Sequence, residues 1–383
     1  MRVKLTHVRL LDPSSGRDEV GEICLIEGRV APDDGGAFTV QNGEGAWVIP
    51  ALVDLVATGV DPDKDGQSAQ AGGFGVVLGT PGSRAMTGVG ALAAPLTLGC
   101  EGRELSDVGA AVFDGALALS NGRTAVTDAG VLLQALRYAA RFERPVLLRP
   151  ATEGLELGPV RQGSLSMELG LRGTPPESEV LGVWTAALLA VRAGARVHLT
   201  HIWSREGVQA VTEAIEQGLP VTASTTVGQL CLPIERLADV GYSGQWNLGC
   251  VVGDAEDRAA LAEGLRRGVL SAVASDHRRR TPVAYTAPFT DAEGGGDHLE
   301  HCWGQVLGVL GPDTAVRVLS IGPAQLLGLP VGLTVGAAVA LVQPDSGRNP
   351  PVDQSDMHPW APRGSNGRIR LMHPQRVPFE LDA

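Results

Sequence analysis

The sequence predicts an α/β protein, a (β/α)8 barrel with a small β-domain built from both chain termini. Two patterns carry that prediction. Through the middle of the chain, short β-rich runs alternate with amphipathic helical stretches, as a parallel sheet wrapped by helices requires, and a span of about 270 residues suits a closed barrel. At both ends, apolar and polar residues alternate with period two between turn residues, the pattern of short antiparallel strands. The expected division is residues 1–49 with 330–383 as a composite β-sandwich, and 50–329 as the barrel. A length of 383 residues fits one barrel with an appendage.

The elements follow in order. Val3-Lys4-Leu5-Thr6 and Val8-Arg9-Leu10 alternate, Pro13-Ser14-Ser15-Gly16 turns, and Glu22 to Ile26 alternates again. The tail returns to this style in Val339-Ala340-Leu341-Val342, before Gln343-Pro344-Asp345, and in Gly367-Arg368-Ile369-Arg370-Leu371. Between them, Leu132, Leu133, Leu136 and Ala140 form a helical stripe opened by Thr127 or Asp128, leading to the strand Pro145 to Leu148. Thr174-Pro175-Pro176-Glu177 has a capping residue, a proline at the first helical position and a glutamate at the third; Val180, Val183, Trp184, Leu188 and Val191 then share one helix face. A strand from Arg196 to Ile202, a helix from Ser204 through Ile215 and a strand from Val221 to Thr225 come next. Asp254-Ala255-Glu256-Asp257 opens a helix with Leu261 and Leu265 inward, and Gly268 leads into the strand Ser271 to Ser275. In such a barrel the chemistry lies where strands end.

Composition narrows the function. At 44% hydrophobic and 19% charged, with mean hydropathy +0.08, the chain is of the ordinary globular class. Lys+Arg 31 against Asp+Glu 43 gives a net charge of −12, the wrong sign for a nucleic acid or an anionic membrane partner. Cys24, Cys100, Cys231, Cys250 and Cys302 are odd in number and scattered, which indicates neither a disulfide framework nor a zinc knuckle. The N-terminus lacks a leader pattern and no run of about 18 apolar residues occurs, so a cytoplasmic location is the default expectation. Lysine occurs only at Lys4 and Lys64.

Five segments stand in order along the chain: Val48-Ile49-Pro50-Ala51-Leu52-Val53-Asp54-Leu55, Ala71-Gly72-Gly73-Phe74-Gly75-Val76-Val77, Val197-His198-Leu199-Thr200-His201-Ile202, Ala274-Ser275-Asp276-His277 and Gly322-Pro323-Ala324-Gln325-Leu326-Leu327-Gly328-Leu329. In sequence and spacing they resemble the dihydroorotases and their cyclic-amidohydrolase relatives. The resemblance covers about residues 1 to 375 and implies an amidohydrolase barrel, a family that hydrolyses a ring amide at a metal site.

The metal positions depart from that family. Side chains at i and i+2 of a strand point the same way, which lets the family's His-x-His pair reach one metal. Here the two places hold Val56 and Thr58; valine has no lone pair and a threonine hydroxyl is a poor zinc ligand. The family's substrate-holding arginine and asparagine correspond to Val60 and Gly82. Its ligating aspartate corresponds to Asn121 in Leu119-Ser120-Asn121-Gly122, and with no lysine beyond Lys64 no carboxylated lysine can bridge two metals. The histidine expected after the strand Pro145 to Leu148 is Arg149, permanently protonated and unable to ligate a cation. Thr225-Thr226-Val227-Gly228-Gln229 stands where the family has Thr-Pro-His-His.

What the resemblance leaves are vestigial catalytic positions: His201, matching a histidine ligand; Asp276, matching the aspartate that ligates metal and shuttles the proton; and His277 and Asn247. Two ligating groups fall short of the three that catalytic sites use, so no metal and no cofactor is expected. Without metal, Asp276 needs a cation beside it, either Arg149 or one of Arg278-Arg279-Arg280, and His201 reads as a hydrogen-bonded core histidine. His198 and His201, at i and i+3 of a strand, face opposite sides. Asp297-His298-Leu299-Glu300-His301 would set two histidines on one face if helical, and reads as a charged helix start. Gly72-Gly73-Phe74-Gly75 lacks dinucleotide-fingerprint spacing.

Three functions stay open. The first is a noncatalytic dihydroorotase-like protein of pyrimidine biosynthesis; bacterial proteins resembling it associate with aspartate carbamoyltransferase, which makes that enzyme the implied partner in an oligomeric assembly. The second is a working cyclic amidase that uses zinc. The third is an anion-sensing module in which Arg149, Arg278 and Arg280 line a pocket.

Overall fold

The computed structural model describes residues 1–343 and 368–372. Pro344, Asp345 and Gly367 of the expected tail strands, and the tail from 373 to 383, lie outside the described residues.

Short runs, apolar and mostly buried except in the third, form the barrel strands β1 (Leu52–Thr58), β2 (Phe74–Gly79), β3 (Gly90–Pro95), β4 (Ala118–Ser120), β5 (Val146–Leu148), β6 (Val197–Leu199), β7 (Val221–Thr226) and β8 (Ala272–Ala274). Neighbours pair in parallel in this order, and the chain of β8 breaks at Ser275 and Asp276 before His277–Arg278 pairs with β1. The two pieces of β8 therefore close the ring. Asp54 locks that closure: its buried carboxylate accepts from Ser275 N at 2.8 Å and from the Ser275 hydroxyl. Burial pushes the Asp54 carboxyl up to about 6, against the opposing pull of those bonds.

Helices α1 (Pro62–Ala71), α2 (Ala129–Ala139), α3 (Glu177–Ala193), α4 (Arg205–Glu216), α5 (Ala255–Arg267) and α6 (Cys302–Leu310) pack outside the strands. Asp128 caps α2, Ser204 caps α4, and Asp254 with Asp257 forms a capping box on α5, which ends at Gly268 with φ 79°. The strands Arg2–Asp12, Arg17–Ile26, Arg29–Ala31, Thr39–Asn42, Trp47–Pro50, Val339–Gln343 and Arg368–Leu371 hydrogen-bond into one sheet around Val3, Leu5, Leu10, Leu25, Val48 and Leu341.

Helix α3 departs from expectation twice. Thr174 does not cap it: the Thr174 hydroxyl accepts from Leu157 N and Gly158 N and donates to the Gly158 carbonyl, while the helix begins at Glu177 without a side-chain cap. Its buried face matches the expected stripe only in part: Val183 is buried, and Val180 and Trp184 pack half-buried against the core. Gly182, Val183, Ala186, Ala187 and Ala190 face the core, while Leu188 and Val191 are exposed, because only small residues let α3 approach the loop after β5. A Cβ at Gly182 would lie 2.5 Å from Ala151 N. Gly182→Ala therefore lowers the thermal midpoint, even though alanine gains about 1 kcal/mol of helix propensity, because overpacking costs about 1–3 kcal/mol. Thermal unfolding followed by circular dichroism checks this; a raised midpoint contradicts the close approach.

Candidate functional site

The break in β8 sets Asp276 at the mouth of the barrel, and the end of β6 sets His201 beside it. Both adopt left-handed backbone conformations, with φ 51° at Asp276 and 60° at His201, which side-chain-bearing residues adopt rarely. His201 Nε2 lies 3.3 Å from Asp276 Oδ1, and its Nδ1 is 2.9 Å from the Thr200 hydroxyl. The third member is Arg123, two residues past Asn121 in the loop after β4. Its Nε donates to Asp276 Oδ1 at 3.0 Å, and its Nη2 donates to Asp276 Oδ2 and, at 3.0 Å, to the Leu248 carbonyl. Burial alone would raise the Asp276 pKa, but Arg123 and His201 hold the carboxyl well below the usual carboxylate range. Asp276 in turn keeps the buried Arg123 guanidinium charged, against its own desolvation.

Beside this group lies a cleft of about 400 Å³ lined by Arg123, Arg149, Glu156, His201, Cys250 and residues 157–159. Arg149 does not pair with Asp276. Its Nε donates to the Arg123 carbonyl at 2.6 Å and its other nitrogens grip Glu156. Burial, with Asp276 adding to it, pushes the Cys250 thiol up to about 12, which removes it as a nucleophile at neutral pH.

The cation beside Asp276 is thus Arg123, not Arg149 or the arginine run at 278–280. The three expected pocket arginines also stay apart. Arg278 pairs with Glu293 at 2.5 Å, and buried Arg280 donates to the carbonyls of Gly244 and Glu293, so only Arg149 reaches the cleft. Carboxylate and carbonyl partners nearer in space claim the other two. Asn247 is used structurally: its amide donates to the Phe289 and Ala292 carbonyls and its oxygen accepts from Gly249 N. His277 turns away to Asp65, with Nε2 3.2 Å from Asp65 Oδ1, while its Nδ1 accepts from His298 N. Arg279 joins them at 2.7 Å, and these partners outweigh burial to hold the Asp65 carboxyl well below its usual range. Residues 297–301 turn ahead of α6 rather than belonging to it, so His298 and His301 share no helix face; His298 Nδ1 lies 2.8 Å from the Ser275 carbonyl oxygen. His198, inside the barrel, contacts the Thr222 and Ser224 hydroxyls.

The places a metal would need do not fit one. Val56 packs in an apolar cluster, Thr58 is held by the Thr80 hydroxyl at 3.1 Å, and Asn121 satisfies Thr97, Cys100 and Thr124. Both Asp276 oxygens carry the Arg123 guanidinium. Among the described residues, no group of three or more His, Cys, Asp or Glu side chains is placed to hold a metal ion. Arg123 and Asp65 are the partners that sequence reasoning missed. The available signal was Arg123 itself, an arginine just past a barrel strand, where its side chain can turn into the mouth.

The same barrel fold occurs in solved structures of hydantoinases. It superimposes with TM-score 0.79 on L-hydantoinase (dihydropyrimidinase) from Arthrobacter aurescens, at 18% identity over 97% of this chain and 94% of that one. Dihydropyrimidinase from Brevibacillus agri NCHU1002 matches with TM-score 0.77 at 15% identity, over 97% of this chain and 93% of its own. A family model described as dihydro-orotase-like matches residues 84–207. The chain is 30% identical to a dihydroorotase of Anaeromyxobacter sp. (strain K) over 94% of its length and 93% of that protein. It is likewise 30% identical to a dihydroorotase-like protein of Pseudomonas aeruginosa, over 100% of this chain and 98% of the relative. The chain belongs to the dihydroorotase-like family of amidohydrolases.

Removing Arg123 alone strands a buried carboxylate. Arg123→Met costs about 3–5 kcal/mol at neutral pH, and Asp276→Asn in the same chain recovers most of it. The native pair also sets an acid limit. The Asp276 pKa is depressed on folding, so its stabilisation is present above its unfolded pKa of about 4 and is lost as pH falls below that toward the folded value. Urea unfolding at pH 7 and pH 3 checks both; an Arg123→Met penalty equal at the two pH values contradicts the pairing.

Proposed function

We propose that this chain is a noncatalytic dihydroorotase-like protein of pyrimidine biosynthesis, acting in the cytoplasm as a structural or regulatory partner of aspartate carbamoyltransferase. One observation carries the reading: the carboxylate at the proton-shuttle position is neutralised on both oxygens by Arg123, where a catalyst would aim it at metal and substrate. Valine at position 56, threonine at 58 and arginine at 149 support it, since none of them replaces a lost ligand. The whole-chain likeness to a relative named dihydroorotase-like agrees with the reading, while the likeness to dihydroorotases leaves the activity to experiment. No helix among the described residues is long and apolar enough to cross a membrane.

A second reading, a zinc-dependent cyclic amidase, draws on the contact between His201 and Asp276 beside the cleft. Metal analysis and turnover separate the two. Purified from its native source, the chain carries far less than one zinc per molecule, opens no dihydroorotate ring and brings down aspartate carbamoyltransferase, whose activity falls when the chain is removed. Stoichiometric zinc with ring opening contradicts the proposal.

A further inference from the structure

At the mouth of the barrel, Arg123, Arg149, Arg161, Arg205 and Arg278 each meet a carboxylate. The opposite end, where the strands start, is built otherwise. Arg144 stands two residues before β5 and Arg196 one before β6, and these strands pair in parallel with Val146 opposite Val197. Arg137 and Arg141 lie one turn apart at the end of α2, and Arg192 lies in the last turn of α3, which packs on α2. Arg144 is half-buried and the other four are exposed. None of the five has a carboxylate partner among the described residues; Arg196 Nη2 donates instead to the Glu143 carbonyl at 2.5 Å. Phe113, 92% exposed, ends a short helix, Val108–Phe113, whose chain turns into β4, the strand beside β5. Three consecutive turns thus present an aromatic ring and then arginines along a rim about 10 Å across, two strand spacings.

We propose that this rim binds an acidic segment of a partner protein. Charge selects that occupant. The chain holds 43 acidic residues against 31 basic, so carboxylates are plentiful enough to pair five arginines, as they do at the mouth. Grouped guanidiniums left without them repel one another and gain from an external carboxylate, which the planar fork of arginine grips at two points. A nucleic acid is a poorer occupant, because its phosphates meet the field of a chain of net charge −12 and the exposed carboxylates of Glu143 and Asp114 at the same rim. Phe113 adds a place for an apolar side chain, which a protein segment supplies. The rim is also firm. Tyr138 and Phe142 pack edge to face at 5.4 Å against Gly109, where a Cβ would lie 3.3 Å from Phe142 Cζ. The turn that carries Arg141 is therefore held in place before a partner arrives, which lowers the ordering cost of binding. The inference is independent of the metal-free reading of the mouth and holds whether or not the chain is a catalyst.

Fluorescence anisotropy with the full chain, and a fluorescein-labelled peptide of glutamates with leucines interspersed, tests this. The expected result is saturable binding in the micromolar range that weakens as salt rises, since exposed charges are screened over about 8 Å at physiological ionic strength. Arg137→Glu with Arg141→Glu raises the dissociation constant at least about tenfold and leaves the circular dichroism spectrum unchanged. Arg192→Glu alone weakens binding severalfold and decides the matter if the double variant misfolds. Phe113→Ser also weakens it, whereas Arg172→Glu, exposed in the loop after β5 at the mouth end, does not. No saturable binding, a loss as large in Arg172→Glu as in the rim variants, or wild-type affinity in Phe113→Ser overturns the proposal. So does a single-stranded oligoribonucleotide that binds the rim as tightly as the peptide, which would assign it to nucleic acid.

Discussion

The architecture of the barrel mouth depends on one ion pair, Arg123 with Asp276. A carboxylate cannot remain charged in a site this buried without a cation, and the fold places Asp276 there because β8 breaks at that residue. In a metal-dependent barrel the cation is divalent and shared among several ligands. Here it is a guanidinium fixed to a single carboxylate, with His201 on the remaining side. Around that pair, valine at 56 packs in an apolar cluster, threonine at 58 contacts the Thr80 hydroxyl and arginine at 149 pairs with Glu156.

The neighbouring polar groups show the same closure of charge within the protein. Arg149 is neutralised by Glu156, Arg278 by Glu293, and Asp65 gathers His277 and Arg279. Each residue read from the sequence as a vestigial or anion-binding group thus acquires a near partner, and the cleft retains little uncompensated charge. Asp54 contributes from beneath by binding Ser275, so the closure of the barrel and the position of Asp276 are fixed by adjacent residues of one broken strand.

Much of the fold was legible in the sequence because it rests on local patterns. Asp128, Ser204 and Asp254 cap the helices their positions announced, and the strand runs at 146–148, 197–199 and 221–226 fall where β-rich stretches end in turns. The failures involve long-range choices. Thr174 has the spacing of a cap, but a loop amide pair claims its hydroxyl, and α3 turns its alanines rather than its leucines inward because the loop after β5 leaves no room. Asp276 was legible as a carboxylate in need of a cation. The identity of that cation was not, since 153 positions separate Arg123 from Asp276 and only the closed ring brings their strand ends together.

The most direct measurement is a crystal structure from crystals grown with excess zinc, with anomalous scattering recorded at the zinc edge. The expected result is guanidinium density on both oxygens of Asp276 and no anomalous peak within coordination distance of Asp276 or His201. A fully occupied ion bound by those two residues, with Arg123 displaced, would contradict it.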